Sequence, residues 1–281
     1  MNAIYLISVI LSLSLQNVMK KGYTKRNGGG VYLFGVLTCL SATVFFAVTS
    51  GGFKWNAGIL PYSLAFAAAY VTTMVSSVMA IQCGSLSLTS LVVSYSLMVP
   101  ALYGLIFLNE SISFGFYPGI LLLVISLVLI NKPEEKQPIN LKWILYVVLA
   151  FLGNGMCSVF QKMQQVAFEG AYKNELMIVA LASGAVVLTI VSFIKEGKQI
   201  SNYIKNGWLF GLLSGLFNGI LNLLVMILSG RVSASFMFPL ISAGGIIVTY
   251  LISKWVYKEE LTKRQFVGFI LGIASVIFLN I

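Results

Sequence analysis

Two asparagines, Asn218 and Asn222, stand four residues apart in the apolar stretch LFNGILNLL at 216–224, and Ser214 continues the spacing one turn earlier. Side chains four apart share a helix face, so the three form one polar stripe, while Gly211, Gly215 and Gly219 form a second stripe about 100° around the axis. The glycines let a neighbouring helix approach closely. Amides and hydroxyls on the other face could hydrogen-bond a neutral, zwitterionic or anionic solute, or could tie that helix to a second one.

A second polar cluster lies in QNVMKK at 16–21 and in CSVFQKMQQ at 157–165, preceded by Asn154. Gln16, Asn17, Asn154, Ser158 and Gln161 fall deep in apolar surroundings and are candidate ligand contacts. Lys21 and Lys162 fall near segment ends, where a lysine snorkels to the interface or meets the last helix carbonyls. As ligand residues they would instead bind anionic groups, one near each mouth of a pathway. Tyr70 and Tyr95 could line a cavity or serve as interfacial anchors. Pro100 and Pro239 can bend their helices, and Gly244 and Gly245 in the SAGG stretch at 242–245 add a closely packing segment, so the four are candidate gating positions.

The residues that are missing narrow the chemistry. The sequence holds no histidine and no aspartate, and its eight acids are glutamates, all in expected loops or at segment ends. No carboxylate stands where a buried proton carrier or the partner of a cationic drug would sit, which argues against proton-coupled multidrug efflux. Catalytic sets and metal clusters are lacking, Cys39, Cys83 and Cys157 have no CxxC spacing, and Gly28–Gly30 lack the following Gly-Lys-Ser/Thr of a phosphate loop. The reading is therefore of a non-enzyme without a cofactor.

These residues sit in a chain that is 58% hydrophobic and 9% charged, a composition that needs lipid around it. Apolar runs predict ten membrane spans at 3–19, 31–49, 59–81, 86–108, 114–131, 143–163, 175–194, 207–228, 233–255 and 265–281. The first run lacks a basic leader and a small-residue cleavage site and reads as a retained helix. The net charge of +10 is explained by loops and not by nucleic acid: only Lys54, Lys162, Lys173 and Arg231 fall with the even connections, and the other basic residues fall with the odd ones. The positive-inside rule then places the odd loops in the cytoplasm and both termini outside.

The chain also repeats itself. The segment 132–142, with Pro133 and Pro138, separates a first half, 1–131, from a second, 143–281. LNESISFGFYPGILLLVISLVLIN in the first half parallels YKEELTKRQFVGFILGIASVIFLN in the second, with Glu110 opposite Glu259, Gly119 opposite Gly268 and Asn131 opposite Asn280. A second block sets Gly84 opposite Gly230, which carries Ser214, Asn218 and Asn222 onto Ala68, Thr72 and Ser76. Lys21 aligns with Lys162. An odd number of spans per half makes this an inverted repeat, expected to flank a site near the bilayer midplane.

On this five-plus-five arrangement, and on the repeated pattern Glu110, Ile112, Gly119 and Glu259, Leu261, Gly268, the chain resembles the ten-helix, EamA-type members of the drug/metabolite transporter superfamily. The resemblance implies an all-α membrane protein that moves a small metabolite, with both termini in the cytoplasm, the reverse of what the charge distribution predicts. The expected partners are a small-molecule substrate and the bilayer of a bacterial-type cell membrane, with no nucleic acid, in a monomer or homodimer. A non-transporting subunit or scaffold, for example of a lipid-linked sugar pathway, is the alternative; it would let the polar stripes point into separate helix contacts.

Overall fold

The computed structural model describes residues 2–83, 93, 95–108, 114–130, 141–257 and 263–278. Those residues are helical almost throughout: α1 (Asn2–Asn27), α2 (Val31–Thr49), α3 (Leu60–Cys83), α4 (Met98–Phe107), α5 (Phe116–Ile130), α6 (Leu141–Ala167), α7 (Lys173–Lys195), α8 (Ile200–Ser229), α9 (Ala234–Tyr257) and α10 (Lys263–Phe278). Short 3-10 turns precede α3, α4 and α8. By length and composition, six of the described helices can cross a membrane: α1, α2, α3, α6, α7 and α8. Several run past the predicted hydrocarbon span: α1 continues through Lys25 and Arg26, and α8 begins at Ile200 rather than 207. Polar residues propagate a helix well once it is nucleated, so these ends project beyond the lipid-facing stretch. Residues 86–92 and 94 of the expected fourth span and most of the 132–142 linker, together with Glu110 and Glu259, lie outside the described residues.

The surface is apolar and much of the interior is polar. Leu40, Val44 and Val48 along α2 and Val186, Ile190 and Phe193 along α7 are exposed at helical spacing, while Ser63, Gln161, Gln164, Ser214, Asn218 and Asn222 are buried. Water would penalise that pattern and lipid rewards it.

α3 packs on α6 and α7, α8 packs on α1 and α2, α2 also packs on α7, α1 on α9, α4 on α9, and α5 on α10. The glycine stripe of α8 faces α2: a Cβ at Gly211 would lie 2.6 Å from Leu37, at Gly215 2.5 Å from the Thr38 carbonyl oxygen, and at Gly219 2.5 Å from Phe45. α6 does the same toward α3 at Gly153, where a Cβ would lie 2.6 Å from Thr73 Oγ1 and 2.9 Å from the Ala69 carbonyl oxygen. Backbones this close gain dispersion and helix–helix contact that larger residues forbid. One apolar core, around Phe46, Phe66, Leu176, Leu181 and Met226, fills the junction of α2, α3, α7 and α8. Another, around Leu6, Val9, Leu228, Met237 and Phe238, joins α1, α8 and α9.

A carboxylate fixes one end of the α2–α7 pair. Glu196, just past the C-terminus of α7, accepts hydrogen bonds from the backbone amides of Tyr32 (2.8 Å) and Leu33 (2.9 Å) and from Ser192 Oγ (2.7 Å). The first amides of α2 have no intrahelical acceptor, and an anion there also meets the positive end of the helix dipole.

Candidate functional site

The site is built on the facing polar stripes of α6 and α8. On α6, Asn154, Ser158, Gln161, Lys162 and Gln165 recur at three- and four-residue spacing and so share one broad face. On α8, Ser214, Asn218 and Asn222 share another. Because the α8 glycines turn their own side to α2, the amides are left facing α6. There Gln161 Nε2 donates to Asn222 Oδ1 at 2.7 Å, and Asn222 Nδ2 donates to the Asn218 carbonyl at 2.9 Å and to Asn218 Oδ1 at 3.0 Å. Gln161 Nε2 also lies 3.6 Å from Met177 Sδ. Gln161, Asn218 and Asn222 are each at most 7% exposed. Ser214 is fully buried one turn deeper, and its hydroxyl oxygen has no hydrogen-bond partner among the described residues.

Other expected contacts distribute differently. Asn154 Nδ2 donates to Ser96 Oγ at 2.6 Å, joining α6 to the turn that opens α4, and Ser158 is buried on the same face. Ser76 is buried and Thr72 half-buried on α3, which packs on α6 and α7; α8 is held instead by α1 and α2. Thr72 and Ser76 therefore do not join the hydrogen-bonded cluster of Asn218 and Asn222. Gln16 is half-buried and Asn17 exposed on α1. Tyr95 donates its hydroxyl to the Val124 carbonyl on α5 at 3.2 Å, which directs it to a helix contact. Lys21 lies in α1.

The proline and glycine positions have specific surroundings. Pro100 falls in the first turn of α4, where a missing amide hydrogen costs no helical bond. Pro239 lies inside α9 and cannot offer an amide to the Ser235 carbonyl. Gly244 and Gly245 pack against α1: a Cβ at Gly245 would lie 2.6 Å from Leu13, and Ser14 Oγ donates to the Gly245 carbonyl at 3.3 Å.

Lys162 is 5% exposed and donates to the carbonyls of Ser229 (2.8 Å) and Val232 (3.3 Å), so its ammonium sits at the negative end of the α8 dipole. It also lines a cavity of about 940 Å³ bounded by Tyr5 of α1, Leu108 just beyond α4, the end of α6, the start of α7 and the end of α8. The walls come from both halves of the chain. Asn222 lies about two turns, roughly 10 Å along the axis, below Ser229 at the cavity's edge. Three lining residues of consequence, Gln165, Lys173 and Arg231, were not singled out by spacing. Gln165 had a signal, since it continues the Gln161 spacing by one turn. Lys173 and Arg231 had none, because they reach the cavity from two separate segments, the start of α7 and the α8–α9 connection.

Amide clusters of this kind donate and accept hydrogen bonds without carrying charge; among the described residues no group of three or more His, Cys, Asp or Glu side chains could hold a metal ion. Cys39 and Cys157 are buried and unbridged.

No curated protein matches the chain in sequence. One solved structure, described only as the crystal structure of a protein, superposes with a TM-score of 0.80 at 12% identity, over 99% of this chain and 95% of that one. The likeness is one of fold. The sequence profile of the EamA-like transporter family matches residues 141–281, which is α6 through the chain's last residue. The chain is thus a multi-pass membrane protein that belongs to the EamA-like transporter family of the drug/metabolite transporter superfamily.

Proposed function

We propose that the chain is a secondary carrier that moves a small polar organic metabolite across a cell membrane by alternating access. In this reading ten membrane helices form two inverted five-helix repeats, 1–131 and 143–281, and the repeats rock against each other around a site between them. The helix pairing supports the repeat: α3 against α6 is matched by α8 against α1. So do two hydrogen bonds across the α5–α10 contact, Ser126 Oγ to the Gly268 carbonyl (2.6 Å) and Ser275 Oγ to the Gly119 carbonyl (2.8 Å), whose members stand at repeat-equivalent positions.

The observation that carries the function is the buried amide seam Gln161–Asn222–Asn218, which lies about one to two helix turns from a roomy polar cavity walled by both halves. Cavities of several hundred Å³ suit small-molecule ligands. In the seam the amides satisfy one another, so a solute that takes over their hydrogen bonds exchanges one set for another at little net cost. A carrier needs that property, because it must release what it binds. Asn218, Asn222 and Gln161 are the substrate amides of this proposal, with Ser214, Ser158 and Asn154 along the same seam, and Pro239 with Gly244 and Gly245 lets α9 adjust against α1 as the site changes sides.

The test is reconstitution of the full chain into vesicles preloaded with a mixed metabolite pool, followed by counterflow measurements. Wild type exchanges at least one polar solute, and Asn222→Ala and Asn218→Ala lower that exchange while the purified protein stays folded. Absence of exchange of any solute by folded wild-type protein would overturn the carrier reading and favour a non-transporting membrane component.

A further inference from the structure

Three cations converge on the 940 Å³ cavity, Lys162 from α6, Lys173 from the start of α7 and Arg231 from the α8–α9 connection, against one lining carboxylate, Glu169. Lys173 lies within electrostatic reach of both Arg231 and Glu175. Glu175 does not line the cavity; its carboxylate accepts from the Lys54 backbone amide at 3.2 Å. Like charges gathered at one site cost free energy unless an anion joins them. Two buried polar groups at the same wall are also incomplete. Ser229 Oγ and Gln165 Oε1, each on a residue 2% exposed, have no hydrogen-bond partner among the described residues. A buried hydroxyl or amide without a partner is costly; both atoms are closed off from the cavity as it stands, and a bound solute removes the cost once their side chains turn toward it.

We propose that this cavity is an oxyanion-binding vestibule, in which the carboxylate or phosphate group of the carried metabolite docks before the rest of the molecule reaches the amide seam. The inference rests on the carrier reading and narrows its substrate to solutes with a net negative charge. Arg231 presents a guanidinium fork that matches an oxyanion in two places, and Lys173 adds a second charge. Lys162 sets the floor, its ammonium anchored on the Ser229 and Val232 carbonyls. Turned toward the cavity, the Ser229 hydroxyl donates to the anion and Gln165 Oε1 accepts from a hydroxyl or amine elsewhere on the solute.

The experiment uses the full chain in neutral detergent and reads its thermal midpoint against inorganic phosphate, succinate, or sodium chloride at matched ionic strength, and separately against phosphatidylglycerol in mixed micelles. Phosphate or succinate is expected to raise the midpoint beyond chloride. The half-saturating concentration is expected to rise about tenfold in Arg231→Gln and Lys173→Gln, the loss of one charge-assisted contact, and to stay unchanged in Lys205→Gln near the other end of α8. Lys162→Gln is left out because it would also remove a helix-end contact. Equal responses to chloride and to the oxyanions would overturn the proposal, as would wild-type responses in both variants. A shift with phosphatidylglycerol alone would overturn it too, assigning the cations to a lipid headgroup. Counterflow separates this inference from the carrier reading: exchange of neutral solutes that survives in both variants sinks the vestibule and leaves the carrier standing. No exchange by wild type sinks the carrier, while an oxyanion-dependent midpoint would remain.

Discussion

Ser126 and Ser275 each donate a side-chain hydrogen bond to a glycine carbonyl on the other's helix, Ser126 to Gly268 at 2.6 Å and Ser275 to Gly119 at 2.8 Å. The two bonds are reciprocal across α5 and α10: the sequence repeat sets donor Ser126 opposite donor Ser275 and acceptor Gly268 opposite acceptor Gly119. A side-chain hydrogen bond between membrane helices contributes about 0.6 kcal/mol on average. Ser126→Ala and Ser275→Ala are accordingly expected to lower stability by similar, small amounts, about 0.6 kcal/mol each, and the double variant by about twice that. Denaturation in detergent checks this. A large loss from one serine and none from the other would contradict the paired arrangement.

The α2–α8 contact depends on the absence of side chains on α8. A Cβ at Gly215 would lie 2.5 Å from the Thr38 carbonyl oxygen, a backbone atom that cannot swing aside. Gly215→Val is expected to cost several kcal/mol by overpacking, on the order of 3 kcal/mol, and to broaden or abolish the folded peak in size-exclusion chromatography. Gly230→Ala, whose Cβ would have the Ile227 carbonyl as its nearest neighbour at 3.8 Å, is expected to behave as wild type.

The amide seam separates packing from binding. Asn222→Leu leaves Gln161 buried with its 2.7 Å partner gone and is expected to destabilise by about 1–3 kcal/mol. Replacing both residues, Gln161→Leu with Asn222→Leu, removes the whole bond and recovers much of that loss, because two apolar groups have no unmet hydrogen bond. Counterflow activity is expected to be lost in the double variant despite the recovered stability. Recovery of activity along with stability would reassign the seam to helix packing.

Glu196 tethers α7 to the start of α2 through two backbone amides and Ser192. Glu196→Ala is expected to cost about 1–3 kcal/mol and Glu196→Gln less, since the amide keeps one acceptor oxygen but loses the charge that favours a helix N-terminus. Hydrogen exchange at Tyr32 and Leu33 is expected to accelerate in the alanine variant. Unchanged protection there would mean the carboxylate contributes nothing to holding that helix end.

Much of this was legible in the residues themselves. Hydropathy located the six described helices that are long and apolar enough to cross a membrane, because lipid demands about 20 apolar residues in helical form wherever a chain crosses it. The spacing of Gly211, Gly215 and Gly219 against Ser214, Asn218 and Asn222 separated a packing face from a polar one on the same helix, since helical periodicity alone fixes which side chains share a side. Self-comparison of the two halves set Ser126 opposite Ser275 without any knowledge that each bonds a glycine carbonyl across the α5–α10 contact.

Tertiary structure decided which polar groups meet. Periodicity within one helix says nothing about its neighbour, so it could not tell that Asn222 faces Gln161 while Thr72 and Ser76 stay with α3, or that Tyr95 spends its hydroxyl on α5. The cationic cavity was the least visible feature: Lys162, Lys173 and Arg231 sit on three chain segments and read, one by one, as ordinary helix-end charges. Only the packing of α6, α7 and α8 ends against α1 and α4 brings them to one wall, because proximity between distant segments is a property of how helices pack and not of local sequence.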